Sequence, residues 1–174
     1  MRIAILGNSG SGKSTLARRI AARYGVEPLD LDGFAWEPGK IAVPRDPAAA
    51  LNDVETFCTH HPEWVIEGCY ANLIAATLKA SPLLLFLEPG VEVCLSHCRN
   101  RPWEPHKYAS KADQDEKLAF LLDWVRDYYV REGDLSLDAH QTLFKNYGGP
   151  KQMVREPVGP SFIEALAAHR TEPS

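Results

Sequence analysis

The sequence predicts an α/β fold built around a parallel β-sheet. Short apolar runs alternate along the chain with amphipathic segments, which is the pattern of strands joined by helices. The first apolar run leads directly into a glycine-rich loop and then into a segment with helical spacing. The length of 174 residues and the 45% content of hydrophobic residues are typical of one globular domain.

The strand predictions rest on short apolar runs. The run at 2–6 (RIAIL) is apolar after its first residue, as in a buried strand, and 28–32 (PLDLD) closes on two aspartates. The runs at 64–68 (WVIEG) and 83–88 (LLLFLE) are mostly apolar and each contains a glutamate near its end. The fifth run, 151–156 (KQMVRE), gives the weakest pattern because most of its residues are polar.

The helix predictions rest on apolar residues that recur at helical spacing. Leu16, Ile20 and Tyr24 mark one face of the helix that follows the glycine-rich loop. A long stripe that begins at Leu118 and reaches Tyr129 predicts a strong helix later in the chain. The predicted helices are 13–24, 47–60, 71–79, 91–101, 113–132 and 161–169.

Two segments interrupt the simple alternation. Residues 33–63 are rich in proline before they become helical, and residues 102–132 begin with a polar loop at 102–112 that we expect to be mobile. We interpret both as inserts in a single domain that spans 1–174.

Charge and composition disfavour several classes of partner. The net charge of −4 and the lack of a basic stripe argue against direct binding of nucleic acid. No apolar run approaches the ~20 residues of a membrane span. The four cysteines form no dense framework, so we expect reduced thiols and a cytoplasmic protein.

The strongest motif is the segment GNSGSGKST at 7–15, which matches G-x-x-x-x-G-K-[ST]. Glycines let backbone amides curl around phosphate oxygens, and the N-terminus of the following helix adds a positive dipole. Lys13 is expected to bind the β- and γ-phosphates and to act in catalysis, and the Ser14 hydroxyl to bind Mg²⁺. The predicted nucleotide-binding residues are Gly7, Asn8, Ser9, Gly10, Ser11, Gly12, Lys13, Ser14 and Thr15. The motif thus predicts a P-loop protein that binds a nucleoside triphosphate together with Mg²⁺.

Three carboxylates are predicted to face this loop. Asp30, Asp32 and Glu67 lie near the ends of strands, and the carboxyl ends of parallel strands meet at one edge of a sheet. We assign Asp32 to the proton of an acceptor hydroxyl, and Asp30 with Glu67 to the Mg²⁺ side. The assignment assumes that Asp30 and Asp32 continue one strand. The alternative is a structural pair, in which Asp32 caps the turn at Gly33 and Asp30 is solvated.

The combination of motifs resembles small kinases of the adenylate-kinase type, and also shikimate and gluconate kinases. The similarity is greatest to bacterial DNA topology modulation proteins, which themselves resemble adenylate kinases. It covers nearly the whole chain, and beyond the P-loop it rests on Asp30, Asp32, Gly33, Trp36, Glu67, Gly68, Tyr70, Trp124, Tyr128 and Lys151.

This resemblance implies a P-loop NTPase three-layer sandwich with five parallel strands in the order 2-3-1-4-5 and a mobile lid. It also implies transfer of the γ-phosphoryl group of ATP to a small-molecule acceptor. The insert at 33–63 then becomes the acceptor-binding region and 102–132 the lid region. Lid arginines of such kinases neutralise the transferred group.

The candidate lid arginines are Arg99, Arg101 and Arg126. Arg99 and Arg101 lead into the loop. Residues two apart on a helix lie on different faces, so both side chains can point inward only if the helix ends between them. Arg126 and Arg131 lie on the helix that follows the loop, and their side chains point in different directions around it. We therefore expect only one of the two to reach ATP.

The acceptor site is predicted around Asp30, Asp32, Phe34, Trp36, Arg45 and Tyr70. Nucleoside-monophosphate kinases place an arginine just after the third strand, and the segment EGCYANL has none. An uncharged or hydroxyl-bearing acceptor, nucleoside-like or another metabolite, therefore fits better than a nucleoside monophosphate. The aromatic rings are expected to stack on the acceptor, or alternatively to pack the insert onto the sheet.

A second class of function stays open at the level of sequence. The chain could be a regulator that binds or hydrolyses ATP and acts on a macromolecule, as the name of the topology modulation proteins suggests. The sequence does not identify the acceptor or the oligomeric state.

Overall fold

The computed structural model describes residues 1–37, 43–105 and 108–170. The strands are β1 (Arg2–Gly7), β2 (Glu27–Asp30), β3 (Trp64–Gly68), β4 (Leu83–Leu87) and β5 (Lys151–Val154). The α-helices are α1 (Lys13–Tyr24), α2 (Asp32–Ala35), α3 (Pro47–His60), α4 (Ala71–Thr77), α5 (Val91–Arg99), α6 (Lys111–Glu116), α7 (Leu118–Asp127), α8 (Leu137–Asn146) and α9 (Pro160–Ala165). Short 3₁₀ turns at Leu78–Ala80 and Leu166–His169 extend α4 and α9. Within these described ranges, no helix has both the length and the apolar character needed to cross a membrane.

The five strands form one parallel sheet in the order β2-β3-β1-β4-β5, which confirms the predicted fold. β1 lies at the centre and pairs with β3 on one side and with β4 on the other. All strands therefore present their carboxyl ends at one edge, where ligands bind in open α/β sheets. β2 and β5 are the two edge strands.

Alternate residues of the central strand β1 pack into two hydrophobic cores, one on each face of the sheet. Ile3 and Ile5 point to one face, where they pack with residues of α1 and α9. Ala4 and Leu6 point to the other face, where α3, α4 and α8 cover the sheet. This arrangement gives three layers, with helices on both sides of the sheet.

The structure corrects the prediction at the end of the second strand. β2 stops at Asp30, and the amide of Leu31 donates to the carbonyl of Glu67 at 3.0 Å before the chain turns. Asp32 begins the short helix α2 and does not continue the strand. Leu31 is completely buried between the two aspartates, so the chain bends around this apolar anchor.

The region after β4 also differs from the prediction. The helix expected at 113–132 is two helices, α6 and α7, which meet at Lys117, and α7 ends at Asp127. Helix α6 begins at Lys111, inside the segment expected to be a loop, because the Ser110 hydroxyl accepts a hydrogen bond from the amide of Asp113. Residues 38–42 of the acceptor insert and residues 106–107 of the lid region lie outside the described residues.

Helix α8 was missed by the sequence analysis. Ser136 caps it, since its hydroxyl accepts from the amide of Ala139 at 3.1 Å. Leu137, Leu143 and Phe144 pack against the core on the α3 and α4 side of the sheet. At its end, the Lys151 ammonium donates to three backbone carbonyls, at Phe144, Lys145 and Tyr147.

Candidate active site

The glycine-rich loop connects the carboxyl end of β1 to the N-terminus of α1. Gly10 and Gly12 have φ of 78° and 92°, in the left-handed region that favours glycine. A Cβ atom on Gly10 would also lie 2.4 Å from the carbonyl oxygen of Cys94 and 2.8 Å from the sulfur of Cys98. The close approach of the loop to α5 therefore requires glycine at this position.

Side chains on both sides hold the loop in place. The Asn8 side-chain amide donates to the carbonyl of Val125 on α7 at 3.0 Å, and the Asn8 oxygen accepts from the amide of Ser9 at 2.8 Å. The His97 ring on α5 donates to the carbonyl of Gly10 at 2.8 Å. The loop is thus tied to α5, which precedes the predicted lid region, and to α7, which lies within it.

Lys13 is buried at the start of α1, with 8% of its surface exposed. Its Nζ lies 4.0 Å from Oε2 of Glu67 and 3.4 Å from the carbonyl of Asn8. Burial alone would lower the pKa of Lys13, but the Cys69 sulfur and the carboxylates of Glu67, Asp32 and Asp30 raise it above its usual value. Lys13 is therefore a permanent cation in a site that is otherwise acidic.

Glu67 lies at the end of β3 and is 4% exposed. Burial raises the pKa of this carboxyl, while Lys13 and a hydrogen bond with Ser14 oppose the shift. The structure thus brings Ser14, Glu67 and Asp30, the predicted metal residues, to the same edge of the sheet. Among the described residues, no group of three or more His, Cys, Asp or Glu side chains is arranged to hold a metal ion.

The two aspartates have different hydrogen bonds. Oδ1 of Asp30 accepts from the backbone amide of Asp32 at 2.9 Å, so Asp30 stabilises the turn into α2. Tyr70 donates from its hydroxyl to Oδ1 of Asp32 at 2.8 Å, and Trp36 donates from Nε1 to the Tyr70 hydroxyl at 2.7 Å. The alternative hypothesis of a structural pair expected Asp32 to cap the turn and Asp30 to be solvated. In the structure, Asp30 makes the hydrogen bond that stabilises the turn, and Asp32 accepts a hydrogen bond from the Tyr70 hydroxyl.

Tyr70 is a hydrogen-bond donor at this site and not a base. Burial raises the pKa of its hydroxyl, and the negative charge of Asp32 raises it further. The Trp36 and Tyr70 rings meet edge to face, with centroids 6.5 Å apart. The three side chains therefore form one fixed chain, from Trp36 through Tyr70 to Asp32.

The other residues predicted for the acceptor site support the insert structurally. Arg45 forms an ion pair with Asp53 at 2.6 Å, and its Nη1 donates to the carbonyl of Phe34 at 3.4 Å. Phe34 and Trp36 are half-buried and pack against the core around α3 and α4. Packing thus accounts for both rings, whether or not they also touch an acceptor.

The predicted lid arginines lie outside the phosphate loop. Helix α5 ends at Arg99, so Arg101 is beyond the helix, and both border a narrow cavity between α5 and α6. Arg101 pairs with Glu104 at 3.0 Å, and Arg126 pairs with Asp123 at 2.7 Å on the outer face of α7. A phosphate that approached Arg101 or Arg126 would compete with these ion pairs.

Sequence reasoning missed a buried hydrogen-bond chain behind the site. His140 on α8 is completely buried, and its Nε2 donates to the carbonyl of Cys69 at 2.8 Å. Its Nδ1 therefore accepts from the Tyr128 hydroxyl at 2.7 Å. This hydrogen-bond chain links Tyr128, at the end of α7, to Cys69, which lies between Gly68 and Tyr70. A lone histidine in an unrecognised helix gives no sequence motif that could have revealed it.

Burial lowers the pKa of His140 to about 4, which predicts a pH-dependent stability. The unfolded histidine binds a proton near pH 6.5 while the folded one stays neutral, so stability is full above that pH and is lost as the pH falls toward 4. We expect a loss of about 2 kcal/mol in the free energy of unfolding from this residue between about pH 7 and about pH 5.

Denaturant unfolding at the two pH values measures this effect. His140→Gln should flatten the pH dependence, whereas the exposed His169→Gln should leave it as in the wild type. Equal pH dependence in the wild type and His140→Gln would contradict the prediction.

A shallow cavity of about 450 Å³ lies beside the loop that follows β5. Its lining runs from Gln152 to Gly159 and includes Phe162 of α9. Arg19 of α1 donates to the carbonyl of Val158 at 2.9 Å, which links this loop to the helix that carries Lys13. The cavity therefore lies on the face of the sheet that α1 and α9 cover.

Comparison with known proteins supports the fold. No protein-family model matches the chain. Among solved structures, a shikimate kinase from Bacteroides thetaiotaomicron aligns with a TM-score of 0.55 at 18% identity, over 97% of this chain and 95% of its own. A sugar kinase from Janibacter sp. HTCC2649 aligns at 0.52 with 19% identity, over 95% and 92%. A gluconokinase from Sinorhizobium meliloti 1021 aligns at 0.51 with 16% identity, over 97% and 94%.

These similarities establish the fold of P-loop small-molecule kinases over nearly the whole chain. The resemblance to shikimate and gluconate kinases is thereby confirmed at the level of fold. The closer relation to DNA topology modulation proteins stays a prediction, because the matches above are to sugar, shikimate and gluconate kinases.

Proposed function

We propose that the protein transfers the γ-phosphoryl group of ATP to a hydroxyl of a small-molecule acceptor. The observation that carries the proposal is the meeting of two groups at one edge of the sheet. The buried cation of Lys13 lies beside Glu67, and the Tyr70–Asp32 hydrogen bond lies at the end of the same strand pair. Lys13 beside Glu67 suits a bound triphosphate, and Asp32 with Tyr70 suits the hydroxyl of an acceptor.

The phosphate loop and the start of α1 would bind the triphosphate. Its backbone amides and Lys13 supply positive potential, and the cavity beside 155–160 would take the base. Magnesium would bind the Ser14 hydroxyl and phosphate oxygens, with Asp30 and Glu67 interacting directly or through water. Magnesium in kinase sites keeps several waters and needs few protein ligands, which suits this donor set.

In the transfer step, Asp32 accepts the proton of the acceptor hydroxyl. The acceptor oxygen then forms a bond to the γ-phosphorus as the bond to the bridging oxygen of ADP breaks. Tyr70 keeps the Asp32 carboxylate in position, because its hydroxyl is itself fixed by Trp36. Lys13 balances the charge on the phosphate oxygens.

The lid region at 102–132 would close over the nucleotide. Some or all of Arg99, Arg101 and Arg126 then bind phosphate oxygens, and Arg101 and Arg126 would give up their present ion pairs to do so. Closure excludes water from the γ-phosphoryl group, which favours transfer over hydrolysis. We further propose that the chain acts as a single cytoplasmic domain.

A coupled assay of ADP release tests the proposed function. The purified protein is given Mg²⁺–ATP with nucleosides, nucleotides, sugars and sugar acids, and with ATP alone as the background. A kinase gives acceptor-dependent ADP release and a phosphorylated product by mass spectrometry. ADP release at the same rate with and without every acceptor would favour the second class of function, a regulator that hydrolyses ATP.

A further inference from the structure

The peptide bond between Cys69 and Tyr70 is held by a side chain from a distant helix. His140 of α8 donates from Nε2 to the carbonyl oxygen of Cys69 at 2.8 Å. That oxygen and the amide nitrogen of Tyr70 lie in one rigid peptide plane. The orientation of this plane, together with the backbone torsions of Tyr70, sets the direction in which the Tyr70 side chain leaves the backbone. His140 therefore acts on the residue whose hydroxyl holds Asp32.

The ring of His140 is itself fixed. Its Nδ1 accepts from the Tyr128 hydroxyl at 2.7 Å, and Phe86 of β4 meets the ring edge to face, with centroids 6.0 Å apart. A neutral imidazole has one donor and one acceptor, and both are used here. His140 is completely buried and Tyr128 is 2% exposed, so water does not compete for these bonds. The ring thus keeps one orientation toward the Cys69 carbonyl.

Tyr128 is an anchored donor, because the end of α7 is tied to two other elements. The Tyr128 carbonyl accepts from the amide of Leu137, at the start of α8, at 2.9 Å. One turn earlier, the Val125 carbonyl accepts from the side chain of Asn8 in the phosphate loop at 3.0 Å. The Tyr128 hydroxyl is therefore presented to His140 from a fixed helix end.

A second set of hydrogen bonds holds the residues that follow Tyr70. Asp134, between α7 and α8, accepts from the amide of Ala71 with its carbonyl at 3.2 Å and from the amide of Asn72 with Oδ1 at 2.6 Å. These amides belong to the first turn of α4, where amides have no partner within the helix. The segment 128–140 thus holds the backbone on both sides of Tyr70.

We propose that Tyr128 and His140 are positioning residues of the site. They fix the backbone at Tyr70, so that its hydroxyl directs the Asp32 carboxylate toward the acceptor. The inference rests on the proposed kinase function, in which Asp32 takes up the proton of the acceptor hydroxyl. A displacement of about 1 Å at a reacting group can cost about 100-fold in rate, so a rigid support behind Tyr70 has a direct effect on transfer.

The indole N–H of Trp36 is a probe for Tyr70 that needs no ligand, since it donates to the Tyr70 hydroxyl at 2.7 Å. In ¹H–¹⁵N spectra of the full-length protein, Trp36→Phe identifies its signal among the four tryptophans. His140→Leu and Tyr128→Phe should shift this signal and speed its exchange with water by about 2–10-fold, the equivalent of one hydrogen bond. Tyr70→Phe removes the acceptor itself and sets the largest effect.

Two further variants separate positioning from general damage. His140→Gln keeps a donor for the Cys69 carbonyl and should restore most of the wild-type signal. Tyr24→Phe is the matched control, because the Tyr24 hydroxyl also donates to a backbone carbonyl, that of Ile163 at 2.6 Å, but on the other face of the sheet. It should leave the Trp36 signal unchanged. Thermal unfolding confirms that each variant is folded, and Tyr128→Phe decides the test if His140→Leu does not fold.

A double-mutant cycle measures the effect on transfer, with the acceptor that gives the highest rate in the ADP-release panel. His140→Leu should lower kcat by about 10–100-fold, while KM for ATP changes by about twofold or less. In a Tyr70→Phe background, the same substitution should lower kcat by less than about threefold, because its effect passes through Tyr70. A purely structural pair would lower thermal stability in both backgrounds and kcat in neither.

An unchanged Trp36 signal in folded His140→Leu or Tyr128→Phe would overturn the inference. Equal losses of kcat with and without the Tyr70 hydroxyl would also overturn it, as would a loss of ATP affinity as large as the loss of kcat. If the panel yields no acceptor, the proposed function fails, whereas the Trp36 signal still decides whether Tyr128 and His140 position Tyr70.

Discussion

Lys13→Ala should abolish tight binding of ATP and reduce phosphoryl transfer by about 10²–10³-fold or more, while the fold remains intact. The reason is that Lys13 is a buried cation whose charge the surrounding carboxylates maintain. Without it, the triphosphate would enter a site in which Glu67, Asp30 and Asp32 remain without their central counter-charge. Repulsion then replaces attraction at the β- and γ-phosphates.

Thermal unfolding with and without Mg²⁺–ATP measures the loss of binding, and ADP release measures the loss of transfer. Lys79→Ala is a matched control, because this lysine also pairs with a glutamate but its side chain is 75% exposed and lies away from the site. It should keep the stabilisation by ATP. A Lys13→Ala protein that ATP still stabilises as strongly as the wild type would remove the phosphate site from the proposed mechanism.

Asp32→Asn should lower turnover by about 10²–10⁴-fold, as expected for the loss of a general base, with ATP affinity close to normal. An amide still accepts the hydrogen bond from Tyr70 but cannot take up a proton from the acceptor. Asp30→Asn should act differently, since Asp30 lies on the side of the phosphate loop that we assign to Mg²⁺. It should raise the Mg²⁺ concentration needed for ATP binding.

Transfer rate and ATP affinity, each measured against Mg²⁺ concentration in both variants, separate the two roles. Asp30 also stabilises the turn that begins α2, so part of its effect will appear as lower thermal stability. Asp46→Asn controls for that part, because Asp46 caps α3 away from the site and its carboxylate accepts from the Ala49 amide. Small and equal effects at Asp30 and Asp32 would indicate two structural carboxylates. A change in ATP binding caused by Asp32→Asn alone would reverse the assignments.

The sequence predicted elements best where local and global preferences agree. The bounds of β3 and α3 are those expected, because β3 is an apolar run buried throughout and α3 begins with an aspartate cap followed by proline. The prediction failed at Asp32, where alternation of apolar and acidic residues suggested a strand. Burial of Leu31 and its hydrogen bond to β3 override that pattern.

The long predicted helix failed for a related reason. Its apolar stripe begins only at Leu118, in α7, and α6 before it is polar. Gln114 of α6 turns inward and bonds to the backbone at Pro102 and Glu104. Such a contact depends on a loop twelve residues away and leaves no periodic signal. Helix α8 was missed because six of its ten residues are polar, and its apolar residues form a recognisable face only against the sheet.

The residues of the candidate site also fall into those that local sequence identifies and those that only tertiary packing reveals. The phosphate loop is a contiguous motif with a fixed spacing, so its residues could be named from sequence. Tyr70 and Trp36 were found because they lie near a recognised strand end. His140 lies in α8, and its side chain reaches the back of the site only through tertiary packing. Its role became visible only from its hydrogen bond to the Cys69 carbonyl.

The edge strand β2 has a consequence for self-association. In a parallel strand, the amides of alternate residues point to the same side, and Leu31 donates toward β3, so Leu29 does as well. The amides that face outward would be those of residues 28 and 30, and Pro28 has none. An incoming strand would find one donor at most along this border, beside the charges of Glu27 and Asp30. This edge is thereby protected against sheet-to-sheet polymerisation, and copies of the chain that associate must do so through other surfaces.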